Sequence, residues 1–111
     1  MTEIKFNPTH LTQALVRCRS ITPKDDGALT VVEKHLKSIG FDCNTLTFSG
    51  NGSYDVNNLF ASLGSHGPHL AFAGHTDVVP PGKEDSWKYD PFSATIEKDK
   101  LYGRGTEDMK S

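Results

Sequence analysis

Gly74-His75-Thr76-Asp77 places an imidazole and a carboxylate two residues apart, at the end of the apolar run Leu70-Ala71-Phe72-Ala73. In an extended chain residues i and i+2 share a face, so His75 and Asp77 can point the same way. That arrangement suits a metal-binding histidine. One ring nitrogen takes the ion, and the other donates its proton to a carboxylate that fixes tautomer and orientation. Asp77 therefore reads as the orienting group and not as a ligand. A second acid, Asp108, follows Tyr102-Gly103-Arg104-Gly105, where the chain is expected to turn into a helix. A carboxylate at that point suits the bridging of two metal ions about 3.5–4 Å apart, which together activate a water and polarise a scissile carbonyl. The spacing alone is a weak signal, because His-x-Asp pairs also occur as surface hydrogen bonds and an acid at a helix start is also an N-cap. His10, His35, His66 and His69 have no ligand pattern around them and read as surface or loop residues. Trp87, Pro91 and Phe92 read as a packing cluster.

The elements that must position these side chains follow from periodicity and turn chemistry. Asn7-Pro8 predicts a helix start, with Asn7 as N-cap and Pro8 at the first helical position. Leu11, Leu15 and Cys18 then repeat along one face of a helix ending near Ser20. Ile21 to Gly27 is expected to be a loop, since proline restricts Thr22 and glycine permits a turn. A second helix follows, with Leu29, Val32, Leu36 and Ile39 on one face, a Glu33–Lys37 pair on the other and Gly40 as its C-terminal cap. Strands are expected at Phe41–Phe48 and Val56–Leu63. A third, Leu70–Gly74, is expected to be central and buried on both faces, delivering His75 at its carboxyl end. Phe92–Glu97 and Leu101–Gly103 form a hairpin around Lys98-Asp99-Lys100. Asp108-Met109-Lys110 would open the next helix. The fold class is α/β, with helices packed on a mixed sheet.

At 111 residues and a formal net charge of −2, the chain is at most one domain and carries no strong field directed at nucleic acid or an anionic membrane. Basic residues are scattered singly among acids, so no phosphate-binding stripe is present. No apolar stretch is long enough to span a bilayer. Met1 to Pro8 lacks the basic start and apolar block of a secretory leader. Cys18 and Cys43 sit in apolar patterns and read as reduced, buried thiols, which makes a cytoplasmic location the default expectation.

The residues quoted do not stand alone. Gly74-His75-Thr76-Asp77-Val78-Val79-Pro80, Trp87, Pro91-Phe92 and Tyr102-Gly103-Arg104-Gly105 through Asp108-Met109-Lys110 resemble, in order, the signature of the zinc aminoacylase and carboxypeptidase family. Ser20-Ile21-Thr22-Pro23 with Asp26-Gly27, Ile39-Gly40-Phe41, Val56-Asn57-Asn58-Leu59-Phe60-Ala61 and Pro80-Pro81-Gly82 are most similar to its desuccinylase branch; its deacetylase and dipeptidase branches are the alternatives. Thr106-Glu107 before Asp108, and Ser111 after Lys110, depart mildly from the family pattern.

The resemblance implies that His75 binds one of two Zn2+ (or Co2+) ions, that Asp77 orients it, that Asp108 bridges both metals, and that the Asp108–Met109 peptide is cis. It further implies hydrolysis of an N-succinyl amide, N-succinyl-LL-2,6-diaminopimelate, to succinate and LL-2,6-diaminopimelate, in lysine and diaminopimelate biosynthesis, by a homodimer. The family's general-base glutamate, its further glutamate ligand and its C-terminal histidine ligand have no counterpart in residues 1–111. Those residues are read as the N-terminal portion of the metallohydrolase catalytic domain, without the dimerisation domain or the remainder of the catalytic domain. By themselves they are expected to be inactive, either as part of a larger enzyme or as a non-catalytic remnant.

Overall fold

A computed structural model describes residues 6–111. The reading of Met1–Lys5 as part of a leaderless start lies outside the described residues. Helix α1 spans Pro8–Arg17. Asn7 Oδ1 accepts the His10 amide proton at 3.0 Å, satisfying a donor that the first turn would otherwise leave unpaired. Helix α2 spans Ala28–Ser38. Its start is held by Asp25, whose two carboxylate oxygens accept from Gly27 N at 3.1 Å and Leu29 N at 3.0 Å. Its end is the expected glycine cap: Gly40 N bonds to Lys37 O and Phe41 N to Leu36 O, the paired pattern of a Schellman turn. Glu33 and Lys37 meet at 2.8 Å on the outer face.

Strands β1 (Asp42–Phe48) and β2 (Val56–Ser62) form an antiparallel hairpin, in register from Asp42 opposite Ser62 to Phe48 opposite Val56. Helix α2 packs against this hairpin. A 3-10 turn at Glu84–Ser86 leads to a second hairpin, β3 (Thr95–Glu97) with β4 (Lys100–Tyr102). Lys98 and Asp99 both take positive φ, 49° and 63°, the backbone of a two-residue hairpin turn matched to strand twist. The α/β class therefore holds. Among the described residues the sheet content is two antiparallel pairs, with a single parallel bridge between Ile21 and Val78.

Two expected elements are absent. Residues 70–74 form no strand, and Leu70 and Phe72 stand 84% and 92% exposed where burial on both faces was expected. A strand exists only through its ladder partners. Among the described residues none lies beside this run, so its apolar pattern has nothing to pack against. Residues 104–109 form successive turns and no helix opens at Asp108.

Among the described residues, the buried apolar side chains include Leu15, Val16, Ala28, Val78, Pro91, Phe92 and Ala94. The core thus lies beneath α1 and the segments around 78 and 92, and away from the β1–β2 hairpin. Gln13 Nε2 donates to Ala94 O at 3.0 Å, tying α1 to the second hairpin. Cys18 and Cys43 are both free and half-buried.

Candidate metal centre

Residues 76–78 are fastened to the turn after α1. Ser20 Oγ donates to Thr76 O at 2.9 Å, Val78 N to Ser20 O at 3.0 Å, and Thr22 N to Val78 O at 3.1 Å. Ser20 is fully buried with φ 40°, a left-handed backbone that is costly for a residue with a Cβ. Its amide is held in place by Asp26 Oδ2 at 3.1 Å. This strap, rather than a central strand, is what positions His75 and Asp77.

Residues 103–110 approach from the other side, and two glycines make the approach possible. A Cβ on Gly103 would stand 2.6 Å from Val16 Cγ1 and 3.0 Å from the Pro91 carbonyl oxygen. Gly105 has φ 91°, and a Cβ there would meet Val78 Cγ1 at 2.8 Å. The turn closes through Lys110 N to Gly105 O at 2.8 Å, and Lys110 Nζ donates to Cys18 O at 2.7 Å. Lys110 is 3% exposed, and burial pushes its ammonium pKa below the usual lysine value. A cation on the carbonyl at the end of α1 also complements the negative end of the helix dipole. Trp87 is braced between Pro81 O, which accepts from its indole N–H at 3.0 Å, and the Arg104 guanidinium 5.1 Å over its ring. Phe92 carries Arg19 at 4.2 Å.

The three residues singled out by chemistry meet here. His75 Nδ1–H donates to the Asp77 carbonyl oxygen at 3.0 Å, and Asp77 Oδ1 stands 3.2 Å from the same nitrogen. On the opposite side of the ring, Nε2 is 3.0 Å from Asp108 Oδ1. The His75 pKa is raised above the usual imidazole value, first by the Asp77 carbonyl accepting from Nδ1 and then by Asp108. Asp108 is 84% exposed in its side chain and His75 48%, so Nε2 and Oδ1 face solvent together. The Asp108–Met109 peptide is cis, as the family resemblance implied.

A nitrogen and a carboxylate oxygen that converge from separate segments are donors a zinc site uses, so the pair fits part of such a site. The fit stops at two donors. Asp77 sits behind the ring, and among the described residues no three His, Cys, Asp or Glu side chains converge on one point.

Three residues of this neighbourhood had no assigned role in the sequence reading. Thr22 Oγ1 donates to Asp77 Oδ2. Ser20 builds the strap and Lys110 anchors the Asp108 turn. Their only signal was membership of Ser20-Ile21-Thr22-Pro23 and Asp108-Met109-Lys110, quoted for resemblance alone.

Comparison with known proteins finds two likenesses. Residues 71–111, the stretch holding His75, Asp77 and Asp108, match Peptidase family M20/M25/M40. The chain is 53% identical over 106 residues to a succinyl-diaminopimelate desuccinylase of Parvibaculum lavamentivorans, an alignment covering 96% of this chain and 27% of that enzyme. It therefore spans about a quarter of the length of the curated relative it matches. The resemblance read from the motifs is upheld as a likeness that runs over nearly the whole chain.

Proposed function

We propose that this chain, a relative of the M20/M25/M40 peptidases, supplies the His75 and Asp108 side of a dinuclear zinc amidohydrolase site. The substrate we assign is N-succinyl-LL-2,6-diaminopimelate, cleaved to succinate and LL-2,6-diaminopimelate in lysine and diaminopimelate biosynthesis. The observation that carries this reading is the 3.0 Å meeting of His75 Nε2 with Asp108 Oδ1 while Nδ1 is engaged by Asp77. His75 would offer Nε2 to one ion, because Nδ1 already donates its proton. Asp108 would share its carboxylate between two ions, and Asp77 would hold the ring. When bound, such a pair of zinc (or cobalt) ions polarises the scissile amide carbonyl and lowers the pKa of an attacking water. The residues described here complete neither the ligand set nor the proton-transfer machinery, so the general base and further ligands come from outside them. A cytoplasmic homodimer acting on a small molecule, with no nucleic-acid or membrane partner, is the setting this reading assigns. Among the described residues no helix is long and apolar enough to cross a membrane.

The test is a chimera in which this chain replaces the 106 matched residues of the Parvibaculum lavamentivorans enzyme. The zinc-loaded chimera is expected to release succinate from N-succinyl-LL-2,6-diaminopimelate, and His75→Ala or Asp108→Ala to abolish that release. The chain alone is expected to show no turnover above its His75→Ala variant. A chimera that folds and binds substrate yet is indifferent to both substitutions would overturn the assignment.

A further inference from the structure

We infer that Thr22 is a positioning residue for His75, acting through the Asp77 carboxylate. The two oxygens of that carboxylate are divided between two tasks. Oδ1 faces His75 Nδ1 at 3.2 Å, and Oδ2 accepts the Thr22 hydroxyl proton. A carboxylate held at one oxygen turns easily about χ2, a torsion with broad wells, whereas one held at both oxygens presents a fixed edge to the ring. Thr22 is itself immobilised. Its amide donates to Val78 O at 3.1 Å, its Oγ1 lies 3.2 Å from the same oxygen, and the following Pro23 restricts its backbone. Of the two acceptors within reach of the hydroxyl, the ionised carboxylate makes the stronger bond. The resulting relay runs from the strap, through Thr22 Oγ1 and Asp77, to the imidazole, and leaves Nε2 aimed at Asp108.

The purpose assigned to this relay rests on the metal-site reading, but its test does not. The chain is labelled with 15N-histidine in an Asp108→Ala background, which removes the competing acceptor at Nε2. Long-range 1H–15N correlation of the metal-free protein at alkaline pH then reports which nitrogen of neutral His75 carries the proton. The Nδ1–H tautomer is expected to dominate. Thr22→Val keeps the shape and the backbone bond to Val78 but has no donor. Since the Asp77 carbonyl still accepts from Nδ1 at 3.0 Å, the variant is expected to lower the Nδ1–H fraction without abolishing it, and Thr22→Ser to retain the wild-type fraction. Unchanged tautomers in Thr22→Val, or a loss in Thr22→Ser as large as in Thr22→Val, would overturn the inference. If Thr22→Val does not fold, the wild-type chain decides. A Thr22 hydroxyl proton that exchanges freely with solvent, while the Thr22 amide stays protected, would equally overturn it. A chimera that takes up no zinc while His75 keeps its locked tautomer would remove the metal reading and leave the positioning role standing.

Discussion

His75 has an acidic neighbour at each ring nitrogen, and in the absence of metal both favour the imidazolium. The folded-state pKa is raised, so its stabilising contribution is fully present below the ordinary imidazole value of 6.5 and is lost as pH rises through the raised value. An NMR titration is expected to place the His75 midpoint above the ordinary imidazole value of 6.5, and Asp108→Asn is expected to bring it down. A His75 midpoint at or below 6.5 would contradict the geometry. In the proposed metal site the same competition would make zinc uptake proton-linked: the ion would have to displace a proton from Nε2, so affinity is expected to rise with pH across that midpoint. At this scale the sequence was informative about donors. A histidine, an acid two residues on and an acid after Gly-Arg-Gly were legible as chemistry because their types and spacing carry it. The contact between Thr22 and Asp77 was not, since the two lie 55 residues apart and no local pattern links them.

Helix α1 shows what local signals do specify. Asn7 and Pro8 mark its start by capping and by a pre-set φ, and the structure begins the helix at Pro8. Asn7→Ala is expected to cost about 1 kcal/mol, read by chemical denaturation, with helix content falling in far-ultraviolet circular dichroism. The far end of α2 was equally legible from Gly40, and both hairpins from their alternation and turn residues. The core was less so. Leu15 was placed correctly, but Val16, fully buried against Gly103, falls beside the predicted apolar stripe and is explained only by a segment more than 80 residues away. The failure at Leu70–Gly74 has the same origin. Periodicity and apolar content describe a strand's side chains, whereas its existence depends on backbone partners that a single segment does not encode.

At the scale of the molecule, the Cα radius of gyration is 15.8 Å, against about 13 Å for a compact globule of similar length. Its extents of 50 × 46 × 21 Å describe a slab, with one core beneath α1 and a hairpin reaching away from it. Phe60, Leu63, Leu70 and Phe72 are each at least 63% exposed. Apolar side chains in that number, together with a two-stranded sheet with open edges, favour association. The chain in dilute solution is expected to bind a hydrophobic dye and to elute from gel filtration at an apparent mass that rises with concentration. A sharp monomer peak that does not move with concentration would count against this.

The ties that bring the proposed metal ligands together also govern when they can meet. Ser20 reaches Thr76 across 56 positions, His75 reaches Asp108 across 33, and Lys110 reaches Cys18 across 92. Each is a large loop closure, paid for in chain entropy before any contact rewards it, while the two helices and both hairpins close over short spans. Meeting of the imidazole and the acid is therefore expected late in folding, after both helices and both hairpins, and pulse-labelled hydrogen exchange during refolding would show that order.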